Sequence, residues 1–447
     1  MKPADAVDIK GFIDGRRMSG YQWLVLGLCF LIVTLDGLDT AIMGFVAPVV
    51  MKEWSIARAA FGPVMSAAMV GLAVGAIVAG PAADRVGRKK VLLGSVLCFG
   101  LFSLLCAFAS TPGQLVGLRF LTGLGLGAAM PNSTTLLSEY VPSKRRSLLL
   151  TIMFTGFNFG SGAGGFVAAS LIPHFGWRGV FVFGGVLPIL FVPVLMALLP
   201  ESARFLLVRR ATVERIAATL GRVTGHRFDA HARFTAPEPT VVTKAPVRML
   251  FADGYAMSTL MLWVTYFMGL LIIYLLTGWL PTLIKDAGLP VERAAAITGM
   301  FQLGGTVGAI VVGFAMDRLD RNAVIGVAYL LGGVFIFALG MGTLQSGLLT
   351  VLVTCAGFFM SGAQTGLNAL APSCYPTRAR ATGVSWMLGF GRLGGILGSF
   401  VGGVLLSLGF SFSTVFSVLA VPAIIAAFAI ILNRFALRFI TAPAVDA

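Results

Sequence analysis

VGAIVAGPAADRVGR, residues 74–88, returns later in the chain as VGAIVVGFAMDRLDR, residues 307–321. Each copy is an apolar stretch that ends in Asp-Arg, and the second lies 233 residues after the first in a chain of 447. Self-similarity at such a period marks a duplicated architecture. A second match agrees: Tyr140, Pro142, Arg146 and Gly160 line up with Tyr375, Pro376, Arg380 and Gly394 once one residue is allowed between Tyr and Pro, a displacement close to 234. The chain therefore reads as two related halves.

What surrounds the repeat sets the solvent. Hydrophobic residues make up 57% of the chain and charged residues 11%, with a mean hydropathy of +0.92. A soluble domain carries about 25% charged residues. Apolar runs long enough to cross a bilayer as a helix of about 20 residues fall at 22–49, 61–83, 91–110, 114–138, 148–172, 179–199, 256–281, 294–316, 323–343, 347–371, 381–407 and 411–436. The expected fold is an all-α membrane protein with twelve spans in two six-helix bundles. Its parts are a cytoplasmic tail at 1–20, a bundle at 21–199, a cytoplasmic linker at 200–255 with a Pro-rich piece at 236–246, a bundle at 256–437 and a tail at 438–447. The 56 glycines suit membrane helices, in which small residues let backbones approach.

A net charge of +15 could suggest a polyanionic partner, but its placement argues otherwise. RVGRKK (85–90), SKRR (143–146), the linker, PTRAR (376–380), Arg16, Arg17, Arg434 and Arg438 fall on one side of the spans, whereas STPGQ (110–114) and TLQSG (343–347) opposite carry no charge. This asymmetry orients spans with their basic side in the cytoplasm, so both termini are expected there and no nucleic acid is expected as partner. No cleavable signal peptide is expected, because the polar first 20 residues lead into a span too long for an h-region. Cys29, Cys98, Cys106, Cys355 and Cys374 lack ligand spacing, which argues against disulfides and zinc. The histidines, His174, His226 and His231, fall in loops.

Of the eighteen acids, only Asp36 and Asp39 lie in the middle of a span. Three residues apart on a helix, both can face the bundle interior. A carboxyl in low dielectric beside a second carboxyl can exchange a proton near neutral pH, which a proton carrier requires; the alternative is a purely structural hydrogen bond or ion pair. Gly37 between them permits close helix contact or local bending. Two repeats with loops on equivalent sides form an architecture in which a midplane site alternates its access.

GPAADRVGRKK (80–90) resembles the loop motif between the second and third spans of the major facilitator superfamily, and RFLTGLGLG (119–127) resembles its fourth-span motif. Within it, DGLD (36–39), PESARFLL (200–207) and YPTRARATGVSWMLGFGRLGGILG (375–398) resemble the aromatic acid:proton symporters. PESAR is also similar to a sugar-porter motif, but DRLDR stands where sugar porters carry R-x-G-R-R, and their P-E-T-K-G after the last span is missing.

Taken with that resemblance, Asp36, Asp39, Arg119 and Glu139 are the candidates for proton coupling. Arg392, deep in the eleventh span and matched in the repeat by Asn158, is the candidate for a bound carboxylate, which could satisfy its guanidinium bidentately; an internal pair with Asp36 or Asp39 is the alternative. Gln364, Asn368, Tyr266, Gln302 and Trp386, with Trp263 and Tyr274 beside them, complete the expected pocket. Asp84, Arg85, Gly87, Arg88, Lys89, Asp317 and Arg318 are assigned to conformational gating through charge-assisted contacts that form in one state. Arg380 joins them because the family's corresponding arginine is functionally important.

The expected activity is proton-coupled uptake of a monocyclic aromatic carboxylate, such as 4-hydroxybenzoate or protocatechuate, for catabolism, across a bacterial inner membrane. The protein is expected to work as a monomer with no cofactor beyond protons. Export of drugs or aromatic compounds by antiport is the alternative, as are gentisate, benzoate or shikimate as substrate. An enzyme is not expected: no histidine lies in a span and no G-x-S-x-G occurs.

Overall fold

The computed structural model describes residues 7–226, 228, 234–235, 247–252, 254–341, 346–375 and 379–441, with backbone alone at 381 and 437–441. His231, Pro376 and the Pro-rich piece at 236–246 lie outside the described residues, as does most of the 343–347 loop. Ten helices there are long and apolar enough to cross a membrane. One of them, Ser143–Leu198, has 56 residues, enough for two crossings, and it breaks at Gly176, whose φ of 63° only glycine adopts easily. The 29-residue helix Pro112–Tyr140, which carries Arg119 and Glu139, supplies another. Twelve spans result.

In order these are Gly20–Glu53, Arg58–Val86, Arg88–Cys106, Pro112–Tyr140, the two arms of Arg146–Leu198 on either side of Gly176, Tyr255–Asp286, Val291–Arg318, Arg321–Gly340, Ser346–Leu370, Arg380–Ser407 and Phe412–Thr441. Local chemistry sets their ends. Thr111 accepts from Gln114 N at 3.3 Å to start the fourth span, with Pro112 in its first turn. Asp320 accepts from Ala323 N at 2.8 Å to start the ninth. Prolines 48, 131, 281 and 422 sit inside spans, as membrane helices tolerate when neighbouring groups satisfy the freed carbonyl.

Glycines repeat as contacts and not only as letters. A Cβ added at Gly71 would run into the Phe120 carbonyl, one at Gly75 into that of Leu124, and one at Gly160 into that of Thr34. In the second half, Gly304 faces the Thr354 carbonyl, Gly308 that of Phe358 and Gly394 that of Phe267 in the same way. Every member is displaced by 233 or 234 residues from its counterpart. The duplication therefore preserves backbone-to-backbone approach, which in lipid replaces the hydrophobic drive between helices.

The chain forms two compact units, Met1–Thr40 with Val70–Gly160 and Phe181–Val241, and Ala41–Met69 with Ser161–Val180 and Val242–Ala447. The division runs through the first, second, fifth and sixth spans, whose parts at 41–69 and 161–180 belong to the second unit. Within that unit Gly44 packs on the Thr277 carbonyl and Gly165 on that of Ala295. Lys285 Nζ donates to the Pro48 carbonyl at 3.0 Å, and Arg58 pairs with Asp286 at 2.7 Å.

In the first unit the N-terminal stretch is structured. Val7–Asp8 pairs in parallel with Phe234–Thr235, and helix Ile9–Asp14 follows, capped by Asp8. Lys10 Nζ donates to the Val141 carbonyl at 2.9 Å, Asp14 accepts from Ser143 N at 2.7 Å, and the Phe12 ring lies against His226 and Phe228. The linker carries helices Ala203–Val208 and Val213–Thr224, the second burying Ile216, Leu220 and Val223.

Candidate functional site

Asp36 and Asp39 are both buried in the first span, at 1% and 0% exposure. Asp39 accepts through Oδ1 from Ser103 Oγ of the third span and through Oδ2 from Arg119 Nη1 of the fourth, the latter at 2.9 Å. Arg119 Nη2 also donates to the Asp39 backbone carbonyl at 3.2 Å, and its guanidinium carbon stands 5.9 Å from the centre of the Phe181 ring. Two charges leave water here at high cost, offset by direct pairing and the added hydroxyl. Asp36 Oδ1 accepts from Thr40 Oγ1 at 3.4 Å. Gly37 lies flat against the fifth span, since an added Cβ would meet the Phe157 carbonyl. The close helix contact is what this glycine provides.

Glu139 is not brought to that pair. It lies twenty residues after Arg119 on one helix, about 30 Å along the axis at 1.5 Å per residue. There its Oε1 is 3.7 Å from Arg88 Nε, and its Oε2 accepts from Ser202 Oγ. Arg88 also reaches Asp84 at 3.2 Å. Glu201 accepts from Lys89 N at 3.1 Å, while Tyr140 OH donates to the Glu201 backbone carbonyl and accepts from Ala203 N at 2.9 Å. Arg209 donates to the Arg85 carbonyl at 2.6 Å. Gly87 turns the loop at φ 108°, and a side chain there would strike the Glu201 carboxylate. The D-R-x-G-R-K loop and the P-E-S-A-R segment thus form one charged network inside the first unit.

Asp317 and Arg318, the repeat counterparts, are exposed, with Arg318 over the Phe314 ring at 4.0 Å. Arg380 is exposed at the start of the eleventh span.

In the second unit Tyr266 lies within interaction range of the Gln364 and Asn368 amides and of the Arg392 guanidinium. A Cβ added at Gly391 would run into the Tyr266 ring, so the ring rests on the eleventh-span backbone beside Arg392. Gln364 Oε1 accepts from Tyr329 OH at 2.6 Å. Gln302 is brought to a different neighbour: its Nε2 donates to Thr277 Oγ1 at 2.9 Å. On the seventh span Thr277 lies eleven residues beyond Tyr266, about 16 Å along the axis. Trp386 is exposed and stacks on Trp263 at 5.9 Å. Asn158, half-buried, belongs to the first unit.

Tyr329 and Ser103 are missing from the sequence-derived candidates. Tyr329 carries the only polar side-chain group between Asn322 and Met341, and that isolation was the available signal. Ser103 had none, because a serine in a membrane helix commonly bonds its own backbone.

Twelve spans in duplicated halves, with an ion pair buried in one unit and a tyrosine-amide-arginine cluster in the other, define a multi-pass membrane transporter. The family model of the Major Facilitator Superfamily matches residues 29–339 and 294–444, and the chain belongs to that superfamily. It is similar to the gallate transporter of Pseudomonas putida, 60% identical over 446 residues, covering 100% of this chain and 99% of the relative. It is also similar to the 4-hydroxybenzoate transporter PcaK of Pseudomonas putida, 52% identical over 429 residues and 96% of each chain. Among solved structures, a D-xylose-proton symporter aligns with a TM-score of 0.71 at 18% identity, over 92% of this chain and 97% of the other. A bacterial homologue of the human lysosomal transporter Spinster aligns at 0.66, also with 18% identity, over 95% and 97%.

Proposed function

We propose that the protein carries a monocyclic aromatic carboxylate of the gallate or 4-hydroxybenzoate kind into a bacterial cell together with protons, by alternating access. One observation carries this reading: a chain 60% identical over its whole length to a gallate transporter keeps Asp36 and Asp39 buried in mid-span. In it, Asp36 and Asp39 take up the proton and Arg119 holds or releases Asp39 as that charge changes. Arg392 receives the carboxylate, while Tyr266, Gln364 and Asn368 surround the ring. Gln302 is bonded to Thr277, and Trp386 is stacked on Trp263. The protein acts as a monomer in the cytoplasmic membrane, with both termini in the cytoplasm and no cofactor beyond protons.

Charge sets the driving force. A monoanion with one proton is electroneutral and responds to the pH gradient alone, whereas a second proton adds about 2.3 kcal/mol per 100 mV of membrane potential. The test is uptake of labelled 4-hydroxybenzoate and labelled gallate into proteoliposomes, with pH gradient and potential imposed separately. Accumulation driven by an inward proton gradient, competed by the other acid and not by glucose, supports symport. Expulsion of label under that gradient would replace it with the exporter.

A further inference from the structure

Tyr329 is fully buried in the ninth span, surrounded in sequence by apolar residues. A buried tyrosine has to place its hydroxyl, and this one donates to Gln364 Oε1 at 2.6 Å. That bond orients the amide. With Oε1 held by Tyr329, Gln364 Nε2 is directed elsewhere, and this buried nitrogen has no hydrogen-bond partner among the described residues. Room for the arrangement comes from Gly269, where an added Cβ would meet both Gln364 Oε1 and Tyr329 OH. Tyr266, three residues earlier on the seventh span, lies beside the same amide and near Arg392. The oriented donor and the cation therefore share one neighbour.

We infer that Tyr329 is a positioning residue for substrate selection: it fixes the Gln364 amide so that Nε2 donates to a ring hydroxyl of an aromatic carboxylate whose acid group is held at Arg392. The inference rests on the proposed aromatic-acid reading and extends it to a chemical preference, for ring-hydroxylated acids over unsubstituted ones. An acid without a hydroxyl leaves Nε2 unpaired, and a site built to bond a hydroxyl discriminates against ligands that lack it. Tyr329 itself touches Gln364 and acts on the ligand only through it.

The experiment measures affinities of 4-hydroxybenzoate and benzoate on the monodisperse fraction of purified protein, so that any loss of folded material drops out. Wild type, Tyr329→Phe, Gln364→Met and the double variant are compared. Tyr329→Phe removes one oxygen and keeps the packed ring. We expect it to weaken 4-hydroxybenzoate roughly three- to tenfold, the range of one hydrogen bond, and to leave benzoate within about twofold. Gln364→Met should weaken 4-hydroxybenzoate at least as much, and the double variant no more than Gln364→Met alone, because a residue acting through another is not additive with it. Additive losses, or an unchanged affinity for 4-hydroxybenzoate in Tyr329→Phe, would overturn the positioning role. Wild-type protein that binds neither acid overturns the substrate reading, and the inference falls with it; that outcome is visible before any variant is made.

Discussion

Arg119 and Asp39 form an ion pair closed to solvent, with Nη1 2.9 Å from Oδ2 and 1% and 0% of the two side chains exposed. Removing one partner strands the other, which costs about 3–5 kcal/mol in a buried site. Arg119→Leu is therefore expected to lower the melting temperature in detergent sharply. Adding Asp39→Asn should recover part of that loss while transport stays absent. A double variant as unstable as Arg119→Leu would refute the charge-balance account.

Asp36 sits one helical turn from Thr40 and accepts a hydrogen bond from its hydroxyl at 3.4 Å. If Asp36 exchanges the coupled proton, Asp36→Asn abolishes gradient-driven accumulation yet retains exchange of labelled for unlabelled substrate at equal pH. Accumulation at wild-type level in Asp36→Asn would remove this residue from proton coupling and leave Asp39 to carry it.

Close backbone contact predicts a selective sensitivity to added methyl groups. Gly37→Ala and Gly394→Ala place a Cβ against the carbonyls of Phe157 and Phe267 respectively. Both should reduce the yield of monodisperse protein several-fold, a loss of about 1–3 kcal/mol from overpacking. Gly94→Ala, whose Cβ meets nothing within 4 Å, is the control and should match wild type or exceed it, since alanine favours the helix. Equal yields across all three would mean the helices can separate freely.

In the second unit, Gly44 against the Thr277 carbonyl, Gly165 against Ala295, and the Arg58–Asp286 and Lys285–Pro48 contacts close one end of the spans. Gly44→Val should keep that end from closing. On a cysteine-free background, Ser161→Cys, at a residue buried here, should then react faster with a membrane-impermeant maleimide, and transport should slow. An unchanged labelling rate would show that the Gly44 contact is not part of the closure.

Much of this was legible before any coordinates. Asp36 and Asp39 stand out because they are charged where lipid surrounds the helix, and Arg119 because it lies a turn or so into the fourth span, within reach of the first in the fold the sequence resembles. Gly37 was marked for the same kind of reason, as a small residue between two acids. Tyr329 was passed over because its partner, Gln364, lies 35 residues away on another span, and ordinary packing accounts for most aromatics in such helices. Glu139 is a proton-coupling candidate that the sequence already puts at the end of the fourth span; its partners there, Ser202 of the linker and Arg88 at the start of the third span, come from the tertiary fold.

The sequence by itself determined the number of spans, their duplication and the position of the only two mid-span acids. Each span must satisfy its own backbone hydrogen bonds in lipid, so its existence is a local property of length and polarity. Only the tertiary structure decided that Asp39 is shared between Ser103 and Arg119, that Tyr329 holds the Gln364 amide, and that the N-terminal residues pair with the linker. Those contacts join residues from 35 to more than 200 positions apart, and hydrogen bonding between spans depends on which faces meet, which no single span encodes.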